Sequence, residues 1–136
     1  MSVDGATIGS IGPGLLVLVA VAADDGDEDV AFLKKKILNL RIFNDEEGKL
    51  NRSLLDVKGS LLVVSQFTLY GDCKKGNRPS YSKAAPPAQA EALYEKLIGQ
   101  FRSEGVPVQS GRFQANMQVT LTNDGPVTLI LDSKKG

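Results

Sequence analysis

The chain has 136 residues, 42% of them hydrophobic and only 6% aromatic, which is the size of one domain built on a single, mostly aliphatic core. It contains no histidine, one cysteine (Cys73), and a formal net charge of zero. These totals exclude Ser-His and Cys-His catalytic pairs, histidine metal sites, an intrachain disulfide framework and a strongly basic nucleic-acid binder. No metal or other cofactor is expected, so chemistry must come from carboxylates, lysines, hydroxyls, backbone dipoles or the substrate.

No apolar run reaches the ~18 residues of a membrane span. The run Leu15 to Ala23 follows a Gly-Pro-Gly turn with no basic residue ahead of it, so it does not read as a signal peptide. A cytoplasmic setting is expected. Charge is unevenly spread. Residues 1 to 33 carry only acids, whereas residues 73 to 90 carry Lys74, Lys75, Arg78 and Lys83 and no acid. A local basic face on a neutral protein is therefore possible.

In chain order, TIGSIGPGLLVLVAVA reads as a short strand, a turn at Gly12-Pro13-Gly14 and a buried strand over Leu15 to Ala22. ADDGDED supplies an N-cap and first-turn acids for a helix whose apolar face is Val30, Leu33, Ile37 and Leu40. A polar turn around Gly48 follows. After Gly59, Leu61 to Val64 form a continuous apolar strand of the kind buried on both faces. Gly71 to Pro87 has no period and reads as a long loop, a class that tends to be functional. Pro86 and Pro87 open a second helix with the stripe Ala90, Leu93, Tyr94, Leu97 and Phe101, ending near Gly105. MQVTLTN and VTLILD read as the two strands of a final hairpin around Asn123 to Pro126. There is no repeat or linker, so residues 1–136 are read as a single domain.

Two places attract chemistry. The first is Ser65, Gln66, Phe67 and Thr68, where a buried strand runs into the basic loop. The plain alternative is that these hydroxyls only close the strand. Thr68 as a nucleophile needs a base, and Asp72 is a poor one. Backbone N–H groups around Phe67 and Thr68 can instead stabilise an oxyanion. The second is Gly125-Pro126, either a tight trans turn or a cis bond that presents side-chain-free carbonyls to a ligand. Arg78 and Lys83 can grip phosphate, or belong to an ordinary polar loop. Cys73 stands beside Lys74 and Lys75 but has no histidine to complete a catalytic pair.

The segments SQFTLYGDCKKGNRPSYSKAA (65 to 85) and SGRFQANMQVTLTNDGPVTLILD (110 to 132) resemble the D-aminoacyl-tRNA deacylases, the D-Tyr-tRNA(Tyr) deacylase family. GSIGPGLLVLVAV and NLRIFNDEEGKLN support the match, which runs in order through essentially the whole chain. The resemblance implies an α/β fold: a compact, barrel-like, mostly antiparallel β-sheet domain with two flanking helices. It also implies a cytoplasmic homodimer with active sites at the interface. The implied reaction is hydrolysis of the ester joining a D-amino acid, or glycine on tRNA(Ala), to the tRNA 3′ end.

Under that resemblance, Ser65, Gln66, Phe67 and Thr68 are the catalytic motif. Gly125 and Pro126 become a Gly-cisPro gate reaching into the partner's pocket to exclude L-amino acids. Lys74, Lys75, Arg78 and Lys83 become tRNA contacts, and the tRNA's own 2′-hydroxyl assists hydrolysis. That picture agrees with a chain that has no histidine. The sequence departs from the family in two respects. Family members carry an extra strand ahead of the position matching Ser2-Val3-Asp4-Gly5, with an arginine that helps hold the gate. Here that strand is missing, so an unpaired sheet edge is expected, and a catalytically impaired tRNA-binding module is the alternative. Gln114 also stands where small residues are common, and either crowds the pocket or faces out.

Overall fold

The computed structural model describes residues 2–3, 6–7, 9, 11–124 and 127–134. Its centre is a three-stranded parallel sheet in the order β3-β6-β7, formed by β3 (Gly14–Val19), β6 (Ser60–Ser65) and β7 (Val108–Ser110). β3 and β6 run in register from Gly14 opposite Ser60 to Val19 opposite Ser65. Leu61 to Val64 are buried on both faces, as the uninterrupted apolar run predicts.

Parallel strands need long crossovers, and two helices supply them. α1 (Asp27–Asn39) lies between β3 and β6, and α3 (Pro87–Ser103) between β6 and β7. Both pack on one face of the sheet. Val30 and Ile37 of α1 join Tyr94, Leu97, Ile98 and Phe101 of α3 over Leu61 and Val63. The Tyr94 hydroxyl donates to the Val63 carbonyl at 2.9 Å, so this buried phenol is satisfied. α1 begins at the acidic stretch, where the Asp29 carboxylate accepts the Gly26 N–H at 2.9 Å.

The sequence reading needs correction in five respects. It expects a mostly antiparallel sheet, but the largest sheet is parallel because both of its connections are helical crossovers. It expects a barrel, yet among the described residues the strands form three separate small sheets. The other two are β2-β1-β8, made of β1 (Ser2–Val3), β2 (Ala6–Thr7) and β8 (Met117–Gln118), and the hairpin of β4 (Phe43–Asn44) with β5 (Leu50–Arg52). It expects two helices, but a short third one, α2 (Leu54–Val57), precedes β6. A helix of one turn has no period to read. A capping box holds its start: Ser53 accepts from the Asp56 N–H, and Asp56 accepts from the Ser53 N–H.

The fourth correction concerns the final hairpin. Only Met117–Gln118 of the first expected strand pairs, and it pairs with β1. Residues 127–132 belong to no strand, and Ile130 is 94% exposed. VTLILD is therefore not the buried hairpin strand that its apolar residues suggest. The strand expected over Leu15 to Ala22 also starts and stops earlier. Gly14 already pairs, and a methyl group there would run into the Ser60 carbonyl of the neighbouring strand. Gln114 holds the left-handed conformation (φ 61°) in an exposed turn, which accounts for the fit of a small residue there and points its side chain outward.

Candidate active site at the end of the central strand

β6 ends at Ser65, where the Gln66 N–H donates to the Val19 carbonyl at 2.7 Å. The chain then leaves the sheet in a single 3-10 turn, Phe67–Tyr70. The strand therefore hands Ser65, Gln66, Phe67 and Thr68 from the rigid centre to the surface within four residues. Ser65 and Gln66 are partly buried, while Phe67 and Thr68 are exposed.

Two N–H groups open the turn, those of Phe67 and Thr68. Among the described residues neither has an acceptor, because the turn's own bonding begins with the Leu69 N–H on the Gln66 carbonyl at 3.1 Å. The Gln66 side-chain amide donates to the Thr68 hydroxyl oxygen. Among the described residues no base reaches that hydroxyl. Asp72 is engaged in its own loop, where its Oδ1 accepts the Lys74 N–H at 2.9 Å. Tyr70, two residues on, is pushed above its ordinary pKa by burial and by the carboxylates of Asp25, Asp132, Asp24 and Asp29, so it stays protonated. Among the described residues the site offers hydrogen-bond donors and no general base.

The loop after the turn is pinned rather than loose. Asp72 and Ser80 exchange backbone hydrogen bonds of 2.7 and 2.9 Å. The Ala85 N–H donates to the Val21 carbonyl at 2.8 Å, tying the loop to the end of β3. Lys74, Lys75, Arg78 and Lys83 are all exposed on it, and none forms an ion pair among the described residues. The structure also brings in Tyr81, which the sequence reading passed over. Its ring meets Phe67 edge-on at 5.2 Å between centroids. A lone aromatic in a polar loop was the available signal. Gly125 and Pro126 lie outside the described residues.

Beside the turn runs an apolar groove of about 280 Å³, bounded by β3, α1, α3, Leu69, Tyr70 and the segment 130–133. The C-terminal segment is fastened over it. Lys134 reaches Asp29 at 3.1 Å and Asp25 at 3.6 Å, and the Ser133 hydroxyl donates to Asp29 at 2.6 Å. The Ser133 hydrogen bond is the main cause that holds Asp29 below its ordinary pKa; the Gly26 N–H and Lys134 add to it against the opposing effect of burial.

Similarity to known proteins agrees with this arrangement. A family model described as D-Tyr-tRNA(Tyr) deacylase matches residues 1–132. The D-aminoacyl-tRNA deacylase of Thermosipho africanus is 58% identical over 99% of this chain and 91% of its own length. That of Heliobacterium modesticaldum is 52% identical over 100% of this chain and 91% of its own length, so both relatives are somewhat longer. A solved structure titled c-Myc DNA Unwinding Element Binding Protein superposes with a TM-score of 0.91 at 41% identity, covering 96% of this chain and 89% of that one. The chain belongs to the D-Tyr-tRNA(Tyr) deacylase family and is a hydrolase of that family.

Proposed function

We propose that this chain edits mischarged tRNA by hydrolysing the ester between a D-amino acid, or glycine on tRNA(Ala), and the tRNA 3′ end. The observation that carries the reading is the pair of Phe67 and Thr68 N–H groups, which have no acceptor and no general base beside them among the described residues. An aminoacyl ester is already reactive. Orientation and oxyanion stabilisation suffice to speed its hydrolysis. Water adds to the ester carbonyl, and the Phe67 and Thr68 N–H groups meet the charge developing on the carbonyl oxygen. The bond to the ribose oxygen then breaks, releasing the amino acid and the tRNA hydroxyl. The tRNA's terminal 2′-hydroxyl supplies the assistance that no side chain offers.

In this reading Gly125 and Pro126 form a Gly-cisPro gate whose carbonyls clash with an L side chain in the partner's pocket. Lys74, Lys75, Arg78 and Lys83 take the tRNA backbone. The working form is a cytoplasmic homodimer. The exposed Leu18, Leu69 and Ile130 around one groove favour such an interface.

Hydrolysis of D-Tyr-tRNA but not L-Tyr-tRNA by the purified protein is the expected result; equal rates, or none on the D-ester, sink the proposal. Thr68→Ala should keep kcat within about tenfold, since a lost nucleophile costs about a hundredfold or more. The second reading is a nucleic-acid-binding module without turnover. It is favoured by the DNA-binding title of the 41%-identical structure and the unpaired cations of the loop. Salt-sensitive tRNA binding with no hydrolysis is its signature.

A further inference from the structure

The 3-10 turn has little of its own to hold it. Such turns have poorer hydrogen-bond geometry than α-helices, and Phe67 is 55% exposed. The Phe67 ring is nevertheless fixed from one side by Tyr81, at 5.2 Å between centroids and 67° between planes. The same Tyr81 ring runs past the far end of the turn. A methyl group on Gly71 would stand 2.9 Å from the Thr68 carbonyl oxygen, which is too close, and 3.1 Å from Tyr81 Cε1, tight enough that the ring would have to give by a few tenths of an ångström. Gly71 leaves room for the ring to close on the turn.

Tyr81 is itself held through the backbone. Its neighbour Ser80 pairs with Asp72, and its carbonyl accepts the Ala84 N–H at 3.1 Å. Ala84 forms a bridge with Ala22, just beyond β3. The ring is thus anchored both to the residue that follows Gly71 and to the edge of the central sheet.

We propose that Tyr81 is a positioning residue for the Ser65–Thr68 motif. By bracing Phe67, it fixes the direction in which the Phe67 and Thr68 N–H groups point, and Gly71 is the small residue that permits the contact. This inference rests on the reading of that turn as the catalytic one. Tyr81 acts through Phe67 and touches no reacting atom. A donor misplaced by about 1 Å is enough to cost a large part of the rate, so the effect should appear in kcat rather than in binding.

The test compares Tyr81→Ala, Tyr81→Phe and Gly71→Ala in D-Tyr-tRNA hydrolysis. Tyr81→Ala and Gly71→Ala should each lower kcat by about tenfold or more with KM within about twofold, and Tyr81→Phe should restore the wild-type rate. A raised KM with kcat unchanged overturns the proposal, because it makes Tyr81 a direct contact with the RNA. A wild-type kcat in Tyr81→Ala overturns it as well.

Amide hydrogen exchange gives a readout independent of activity. Exchange at the Leu69 and Gly71 N–H groups, both bonded within the turn, should quicken by about tenfold in Tyr81→Ala while the central strands stay protected. Unchanged exchange overturns the proposal. Should Tyr81→Ala fail to fold, Tyr81→Leu takes its place, since it fills the space without the edge-to-face contact. If the wild type proves inactive on the D-ester, the functional reading fails, and the exchange result still decides whether Tyr81 braces the turn.

Discussion

The central sheet with its two helices and the region from Gly111 onward are built in opposite ways. In the first, Leu61, Val63 and Phe101 are fully buried, and β3 and β6 pair over six successive positions. In the second, no described residue is fully buried, the only strand is the two-residue β8, and Leu121 is 57% exposed. Of the two proposed motifs, Ser65 to Thr68 leave a strand fixed on both faces, while Gly125-Pro126 lie outside the described residues, after a strand held along one short edge. If Phe67 and Thr68 donate to a developing charge, as proposed, they must be rigid at the moment of reaction, and the central strand is the rigid element they leave. The later region gains its order from a few tethers, of which the Asp29 clamp on Ser133 and Lys134 is one.

The largest expected break in this contrast is Phe101→Ala. It should lower unfolding free energy in urea by about 3–5 kcal/mol, whereas Leu121→Ala should stay within about 0.5 kcal/mol. Similar losses at the two positions would mean that the outer region is as well packed as the core.

Gly14→Ala comes next. Its methyl would force β3 away from the Ser60 carbonyl, and the expected loss is about 1–3 kcal/mol, read from the same urea titration. An unchanged midpoint would show that the start of β3 is free to slide.

The smallest effect belongs to the clamp. The folded-state pKa of Asp29 is depressed, so its stabilisation is present above the ordinary carboxylate value and is lost as pH falls through the lowered one. The wild type should therefore exceed Asp29→Asn in urea midpoint at neutral pH, and the gap should close as the solution is acidified. A gap independent of pH would mean that the charge of Asp29 contributes nothing to the clamp.

Much of the central region was readable in advance. Val30 and Ile37 recur at helical spacing and are buried on α1; Ala90, Tyr94, Leu97 and Phe101 do the same on α3. The apolar run Leu61 to Val64 declared a strand buried on both faces, and both helices begin where acids and prolines place them. Periodicity reports which side of an element is apolar, and in this region the apolar side is the buried one.

The candidate site was legible only in part. Ser65 to Thr68 were found as the end of a buried strand, but not as a 3-10 turn, because a turn of four residues has no period. Tyr81 was missed because its role depends on a contact across the loop, made possible by the pairing of Asp72 with Ser80 and by the bare Cα of Gly71. VTLILD failed in the other direction: its pattern suits a strand, yet Ile130 faces solvent.

Alone, the sequence determined the family, through its two long motifs, and also two of the three helices, the buried central strand and the want of a histidine base, which are written in local composition and spacing. Tertiary structure decided that the central sheet is parallel, that the N–H groups of Phe67 and Thr68 have no acceptor among the described residues, and that one distant tyrosine lies against Phe67. Each of these depends on which strands and side chains meet, and such meetings are fixed by packing between segments far apart in the chain.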